Sequence, residues 1–330
     1  MLNSNQPNQL SGNMPLSEKI TVWVFHDARP GHLSQLEGIS KRLAFHSRCE
    51  FHWFDLTQKK LGFQHIFFLP NFLKTHGKPN LILAAGHSTH LSLLIAGIKY
   101  KAFTSVIMKP SLPLCFFNAV ICPKHDGLKN SKKVLNTFGP INKIDQTNAG
   151  LPTKKTLNTI LLGGISKHFH FDEHQILKQI KNICLKEPDK QWILSNSPRT
   201  PKSTNKALAE LTYPNLNFYD YKSDKIGSLQ DILKQTNITV MTPDSMSMIF
   251  EALSAGSKIR LIQCEAKNNK RIVKQIDNLI EEGYIEKPDH PQTRVPTRNK
   301  FPWEADRAAK WLLKQLQTTH FYRNEYLHKP

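Results

Sequence analysis

Short apolar runs of strand length alternate along the chain with longer segments of helical period, the pattern of a parallel α/β sheet. In the first half, Ile20–His26, Glu50–Leu56, Leu81–Ala84, Thr104–Met108, Ala119–Cys122 and Val134–Thr137 predict strands, and a helical stretch begins near Leu33. Gly139–Lys155 then carries Gly and Pro without apolar periodicity, which reads as a boundary between domains. Beyond it the alternation restarts. Thr156–Leu162, Trp192–Ser195, Asn217–Tyr219, Ile238–Thr242 and Lys258–Gln263 predict strands. Phe171–Leu185, Lys202–Leu211, Ser228–Gln235, Ser245–Gly256, Asn269–Glu282 and Trp303–Gln317 predict helices. The last of these carries Trp303, Ala308, Ala309, Trp311, Leu312 and Leu313, enough apolar surface to pack back toward the first half.

Two βα halves of similar size, without a sequence repeat, describe two Rossmann-like domains. The expected division is a flexible tail at 1–18, an N-terminal domain at 19–148, a C-terminal domain at 149–318 and a tail at 319–330. The first eighteen residues have no apolar core and no basic start, so a signal peptide is not expected there.

A length of 330 residues agrees with two domains, since it exceeds what one hydrophobic core usually organises. Apolar residues at 39% and charged residues at 22% exclude a wholly disordered chain and a coiled-coil rod. Lys and Arg number 45 against 26 Asp and Glu, a net charge of +19 that favours anionic partners. Nucleic acid is the least favoured of these, because no helix-turn-helix, zinc finger or RNP-like pattern accompanies the charge. The five cysteines are scattered with no C-x-x-C pair, which predicts a reducing compartment and neither a zinc site nor a disulfide framework. No uninterrupted apolar stretch reaches the roughly 18 residues of a membrane span. Leu61–Lys78 is apolar and basic, and reads either as an anchor to an anionic membrane surface or as a core helix plus loop.

Open α/β sheets bind ligands beyond the carboxyl ends of their strands, so the strand-to-helix turns hold the candidate chemistry. The first turn is Asp27-Ala28-Arg29-Pro30-Gly31-His32, followed by Gln35 and Gly38. Gly31 permits close backbone approach, Arg29 can meet a phosphate, and His32 or Asp27 can act as a base. Capping of the following helix is the structural alternative for Asp27 and His32. Gly86-His87-Ser88-Thr89 forms a second turn, with Ser88 or Thr89 as N-cap, and Pro123-Lys124-His125-Asp126 a third. Each of the three turns carries a His, which favours a shared polar cleft. No metal-binding spacing occurs, so no metal is expected.

In the second half, Gly163-Gly164 follows a strand where backbone N–H groups can receive phosphate. The loop Ser195-Asn196-Ser197-Pro198-Arg199-Thr200-Pro201 offers hydroxyls and a guanidinium to an anion. Thr242-Pro243-Asp244-Ser245-Met246-Ser247-Met248 opens a helix with hydroxyls and free N–H groups, and Glu251 further along can accept from a ribose diol. The structural alternative is a well-capped buried helix. Together the three turns favour a nucleotide-diphosphate pocket formed by Gly163, Gly164, Ser197, Arg199, Thr200, Asp244, Ser245, Ser247, Met248 and Glu251.

The ordered set Asp27…Pro30-Gly31-His32…Gln35…Gly38, Gly86, Pro123…His125-Asp126, Gly163-Gly164, Ser197…Arg199-Thr200-Pro201 and Thr242…Asp244-Ser245…Ser247-Met248…Glu251-Ala252 resembles the mitochondrial-fission family first named in plants. Its bacterial members are described as glycosyltransferases of the lipooligosaccharide outer core. The resemblance spans about residues 20–315. It implies a GT-B-like fold of two Rossmann-like domains facing a cleft, with a nucleotide-sugar donor on the C-terminal side and an acceptor on the N-terminal side. Two positions depart from the family pattern. Pro198 replaces the first arginine of a Ser-Arg-Arg-Thr-Pro loop, leaving Arg199 to carry that phosphate contact, and Ala28 stands where Gly is expected.

The expected function is transfer of a sugar from a nucleotide sugar to a lipid-linked saccharide in envelope biosynthesis of the lipopolysaccharide-core type. The expected place is the cytoplasm, at the cytoplasmic face of the inner membrane. No cofactor is expected, the nucleotide sugar being a substrate, and a helix N-terminus with Arg199 would replace a metal at the leaving diphosphate. His32 or Asp27 would deprotonate the acceptor. Arg29, Gly31, Gln35, Gly86, His87, His125 and Asp126 would line the acceptor side. A nucleotide-sugar 2-epimerase and a non-enzymatic fission-type adaptor are the competing readings.

Overall fold

A computed structural model describes residues 19–57, 76–146, 155–223, 227–267, 271–286 and 301–327. It contains two six-stranded sheets whose strand pairings are all parallel. The first sheet has the order β2-β1-β3-β4-β5-β6, from β1 (Ile20–His26), β2 (Cys49–Asp55), β3 (Leu81–Ala85), β4 (Phe103–Ile107), β5 (Ala119–Pro123) and β6 (Val134–Thr137). The second has the order β12-β11-β10-β7-β8-β9, from β7 (Leu157–Leu161), β8 (Trp192–Ser195), β9 (Leu216–Tyr219), β10 (Thr236–Met241), β11 (Lys258–Leu261) and β12 (Ile285–Glu286). The helices are α1 (Pro30–His46), α2 (His90–Tyr100), α3 (Glu173–Lys186), α4 (Lys202–Ala209), α5 (Leu229–Gln235), α6 (Met246–Ser254), α7 (Arg271–Glu281) and α8 (Glu304–Leu327). None of the described helices is long and apolar enough to cross a membrane.

A parallel sheet is buried on both faces, and alternation along each strand divides its side chains between two cores. Val22 and Val24 of β1 join α1 in one core, while Trp23 and Phe25 face α2 in the other. Leu161 and Met241 of the second sheet share a core with α6 and α7, and Ile160 and Val240 share the opposite one with α3. Helix α8 belongs to the first sheet's core: Ala305, Ala308, Ala309, Leu312, Leu313 and Leu316 pack with Leu36, Ile39 and Leu43 of α1.

The structure corrects several sequence-based boundaries. Helix α1 starts at Pro30 rather than near Leu33, because a proline at the first helical position has no N–H to lose. His90–Tyr100 forms a helix where the pattern assigned none, since its near-continuous apolar run hides the helical period. Residues 319–327 continue α8 rather than forming a tail. The two-residue strand β12 has no sequence signal of its own. The N-terminal tail, 147–154 of the boundary segment and Leu61–Lys78 up to position 75 lie outside the described residues.

Asp306, in the first turn of α8, ties that helix to α1. Its carboxylate meets Arg42 Nη2 at 2.7 Å, His46 Nε2 at 2.6 Å and Lys310 Nζ at 2.9 Å. Burial alone would raise its pKa, but hydrogen bonds from His46, Lys310 and Arg42 outweigh burial and hold it at about 2. A carboxylate depressed by folding stabilises above its unfolded pKa and loses that contribution as pH falls through the folded value. The contribution of Asp306 is therefore complete above its ordinary value of 3.8 and disappears toward about 2. Asp306→Asn should lower the melting temperature at neutral pH, and the gap to the parent should close as the pH drops through that window. Thermal melts at stepped pH check this, and a constant gap would remove Asp306 from the acid response.

Candidate functional site

Each sheet reverses its strand order once, and each reversal opens a crevice at the strands' carboxyl ends. In the first sheet the reversal lies between β1 and β3, so the Asp27–His32 turn and the Gly86 turn stand side by side. In the second it lies between β7 and β10, where the Gly163-Gly164 turn meets the Thr242–Ser245 turn. The turns singled out in the sequence thus occupy both crevices.

In the first crevice, His32 Nδ1 lies 2.7 Å from Asp27 Oδ1. A carboxylate oxygen only accepts, so Nδ1 is the donor, and in the neutral ring Nε2 is left as an acceptor. Asp27 also accepts the Arg29 N–H at 3.3 Å, and its Oδ2 lies 3.6 Å from Arg29 Nε. It braces the turn and orients His32, while α1 itself has no side-chain cap. Gly86, at φ +101°, packs directly over the pair: a Cβ there would lie 2.4 Å from Asp27 Oδ2 and 2.9 Å from His32 Nδ1. Thr89 Oγ1 donates to Gly86 O rather than capping α2.

A cavity of about 450 Å³ opens beside this pair. The carboxyl ends of β1, β3, β4 and β5 line it with Arg29, His32, Gly86, His87, Met108, Lys109 and Asp126. His90 of α2 and Arg271 of α7 complete the wall. Arg271 Nη1 reaches Asp126 Oδ1 at 2.9 Å, so a residue of the second half closes a cavity built on the first. Ala28 and Met108 hold left-handed backbone, at φ +56° and +74°. Such positions cost non-glycine residues about 1–3 kcal/mol and persist where surrounding packing fixes them. Ala28 therefore adopts the conformation that glycine would adopt freely.

The second crevice is tightly cross-braced. Gly163 N–H donates to Thr242 Oγ1 at 2.7 Å and Gly164 N–H to Asp244 Oδ2 at 3.2 Å. Both N–H groups are therefore engaged within the protein, which corrects the expectation that they receive phosphate. Their glycine identity has a packing cause: a Cβ at Gly163 would lie 2.2 Å from Asp244 Oδ1, and one at Gly164 2.0 Å from Arg199 O. The hydroxyls of Ser197 and Thr200 both donate to Gly163 O, so they too brace the loop instead of facing an anion. Arg199 Nη2 lies 2.7 Å from the buried Asp244 carboxylate, while the Arg199 side chain as a whole is 43% exposed. The guanidinium is thereby aimed with donors to spare. Ser245 is the N-cap of α6 but makes no side-chain capping bond, which leaves that helix end open to an anion.

The two crevices touch. A Cβ on Gly31 would meet Ser247 Oγ at 3.4 Å, so the start of α1 lies against the start of α6. One turn further along, Ser34 Oγ donates to Glu251 Oε1 at 2.7 Å. Glu251, the candidate ribose partner, is buried, and its Oε2 has no hydrogen-bond partner among the described residues. Burial raises the Glu251 pKa, and the Ser34 hydrogen bond only partly opposes this. Asn142 adds a second link, donating to Phe250 O at 3.1 Å and Ser254 Oγ at 2.9 Å.

Three further candidates fall outside the cavity. His125 is buried beneath its turn with Nδ1 unpartnered, and burial lowers its pKa. Gln35 is buried and donates to Gly31 O. Met248 packs against the core shared by α6 and α7. Conversely, His90, Lys109 and Arg271 line the cavity without having been singled out. Lys109 follows a strand end and was open to the turn rule, whereas Arg271 reaches the cavity only through the apposition of the two halves. Among the described residues, no three His, Cys, Asp or Glu side chains group as a metal set.

A family model described as Mitochondrial fission ELM1 matches residues 30–316. An uncharacterized protein of Rickettsia prowazekii, RP120, is 23% identical across 80% of this chain and 89% of its own length. The UDP-GlcNAc 2-epimerase of Neisseria meningitidis, solved with UDP-GlcNAc bound, is 15% identical with a TM-score of 0.57, covering 91% of this chain and 100% of that one. The epimerase of Methanocaldococcus jannaschii gives 14% identity and a TM-score of 0.56, covering 89% and 100%. The glycosyltransferase of kitacinnamycin gives 11% and 0.50, covering 91% and 100%. At such identities the likeness establishes a fold, here the GT-B arrangement of two Rossmann-like domains.

The geometry generates two expectations. Gly86→Ala should displace the Asp27–His32 pair, and if the pair serves as a general base it should lower turnover by about 10²–10⁴-fold. Steady-state rates with a folded variant check this, and an unimpaired Gly86→Ala enzyme would exclude the pair from the chemistry. Glu251→Gln should stabilise the free protein, because a carboxylate whose folded pKa is raised loses stability as pH climbs above its ordinary value of 4.5. The melting-temperature gap over the parent should widen from there upward, and a pH-independent gap would contradict the burial cost.

Proposed function

We propose that this chain, which belongs to the mitochondrial fission ELM1 family, is a metal-independent GT-B-type glycosyltransferase that moves a sugar from a nucleotide-sugar donor to an acceptor hydroxyl. The observation that carries this reading is the position of the Asp27–His32 pair, between a 450 Å³ cavity and the open end of α6. Two substrates need space on both sides of a base, here the cavity on one side and the open end of α6 on the other. An epimerase acts on a single substrate and has less need of the second space.

The steps follow from the residues. Asp27 holds His32 so that Nε2 takes the proton of the acceptor hydroxyl. The acceptor oxygen then forms a bond to the anomeric carbon of the donor. The bond from that carbon to the phosphate oxygen breaks, and the nucleoside diphosphate leaves with the electron pair. Its new charge develops at the start of α6, beside the exposed donors of Arg199. Glu251 Oε2 is the acceptor offered to a ribose hydroxyl. A lipid-linked saccharide acceptor and work at the cytoplasmic membrane face extend this reading, supported by the net charge of +19.

His32→Ala should lower turnover by about 10²–10⁴-fold while nucleoside-diphosphate affinity stays nearly constant. Arg199→Ala should weaken nucleoside diphosphates by about ten- to a hundred-fold and leave the bare nucleoside almost unaffected. Calorimetry with UDP and uridine, beside a donor-consumption assay, separates these effects. Sugar isomerisation of the donor without any acceptor would select the epimerase. The absence of nucleotide binding would select the adaptor.

A further inference from the structure

The cavity beside the Asp27–His32 pair is rich in cationic hydrogen-bond donors and poor in anionic acceptors, with His32, His87 and His90 as its other polar side chains. Arg29, Lys109 and Arg271 donate only, and Asp126 is the one carboxylate on its described wall. That carboxylate is already committed: Oδ1 to Arg271 at 2.9 Å, and Oδ2 to the Lys109 N–H at 3.4 Å and Cys122 Sγ at 3.6 Å. Arg29 touches Asp27 through Nε alone, at 3.6 Å, and its side chain is 73% exposed, so its terminal nitrogens remain available. Among the described residues the Lys109 ammonium has no ion pair.

A neutral saccharide calls for the reverse lining, with carboxylates or amides to receive hydroxyl pairs and a Trp, Tyr or Phe ring beneath the sugar. None of those rings, and no Asn, Gln or Glu, occurs on the described wall. The three cations come from the turn after β1, the end of β4 and the start of α7. They surround a volume, whereas a carboxylate is served by one bidentate fork. A tetrahedral group with three acceptor oxygens matches that distribution. Met108, at φ +74°, turns the chain so that Lys109 leaves β4 at the cavity wall.

We infer that the acceptor bears a phosphate group, held by Arg29, Lys109 and Arg271 while its hydroxyl faces His32. This inference rests on the transferase reading, and it deepens that reading by naming the acceptor's chemical class. The phosphate belongs either to a soluble phosphosugar or to a phosphorylated lipid headgroup, which present the same oxygens to the cavity.

The test uses the full chain saturated with UDP, so that the donor side is filled and its binding is measured separately. Calorimetry compares hexose 6-phosphate, the unphosphorylated hexose and the corresponding hexuronate. Hexose 6-phosphate should bind best, and Lys109→Ala and Arg29→Ala should each weaken it about tenfold or more, leaving UDP affinity unchanged. Lys109→Gln, which keeps the side-chain length, should behave like Lys109→Ala, and thermal melts verify the fold of each variant. In a parallel arm, phosphatidylcholine vesicles with and without phosphatidylinositol 4-phosphate report the lipid source by co-sedimentation. Binding in either arm that is lost in Lys109→Ala supports the inference and assigns the source.

Failure has a distinct signature. Equal affinity for hexose and hexose 6-phosphate, no binding in either arm, or binding unaffected by all three variants overturns the inference even where UDP binds normally. Vesicle binding that survives Lys109→Ala without any soluble binding reports only the net charge and overturns it as well. Displacement of hexose 6-phosphate by UDP assigns the anion to the donor side and does the same. A failure of UDP binding instead strikes the transferase reading.

Discussion

The contact on which the site depends is the meeting of α1 with α6, where Gly31 lies against Ser247 and Ser34 Oγ donates to the buried Glu251 carboxylate. Burying a carboxylate carries a large desolvation cost, and one hydroxyl hydrogen bond offsets only part of it. The raised pKa of Glu251 is the direct trace of that imbalance. An apolar pair would hold the two helices together at lower cost. The contact instead brings two helix N-termini without side-chain caps into one cleft.

Parallel sheets impose the rest. Strands buried on both faces can place polar groups only at their ends, and each reversal of strand order parts two neighbouring turns. In the first sheet the opening stays roomy, and the backbone around it is strained. Ala28 and Met108 hold left-handed conformations within the turns at its mouth, and Gly86 supplies the conformation that Asp27 and His32 need beside them. In the second sheet the corresponding opening is filled by Asp244, which braces Gly164 and Arg199 at once. One crevice is therefore roomy and strained, the other closely packed with a single guanidinium projecting from it.

Much of this was legible in the sequence for a physical reason. Strands buried on both faces leave continuous apolar runs, and turns bearing Gly, Pro, Asp and His stand out between them. The α/β class, the two Rossmann-like units and the family resemblance followed from those features. Side-chain direction was not legible. Gly163, Gly164, Ser197 and Thr200 have the composition of an anion loop but spend their hydrogen bonds on one another, since composition cannot separate bracing from binding. His125 turned inward and His90 toward the cavity, a difference of rotation that no spacing encodes. Arg271 entered from a helix about 145 residues beyond the turn it pairs with, through the apposition of the two halves.

On the transferase reading, the two oxygens of Glu251 give the contact between the halves a bearing on donor binding. Oε1 is held by Ser34, and Oε2 has no hydrogen-bond partner among the described residues. A ribose that donates to Oε2 adds the second hydrogen bond that the buried charge lacks, so binding relieves a cost the free protein already bears. Glutamine at this position would remove that cost in the free state and with it the gain on binding. Stability of the empty protein and affinity for a nucleotide would then oppose each other at one side chain, as sites built for a ligand commonly do. Ser34 lies on the same helix as His32, two residues away, so the carboxylate whose Oε2 is offered to the ribose on that reading also holds the helix carrying His32 through Oε1. On the transferase reading, donor capture and the placement of the base are consequences of the same buried carboxylate.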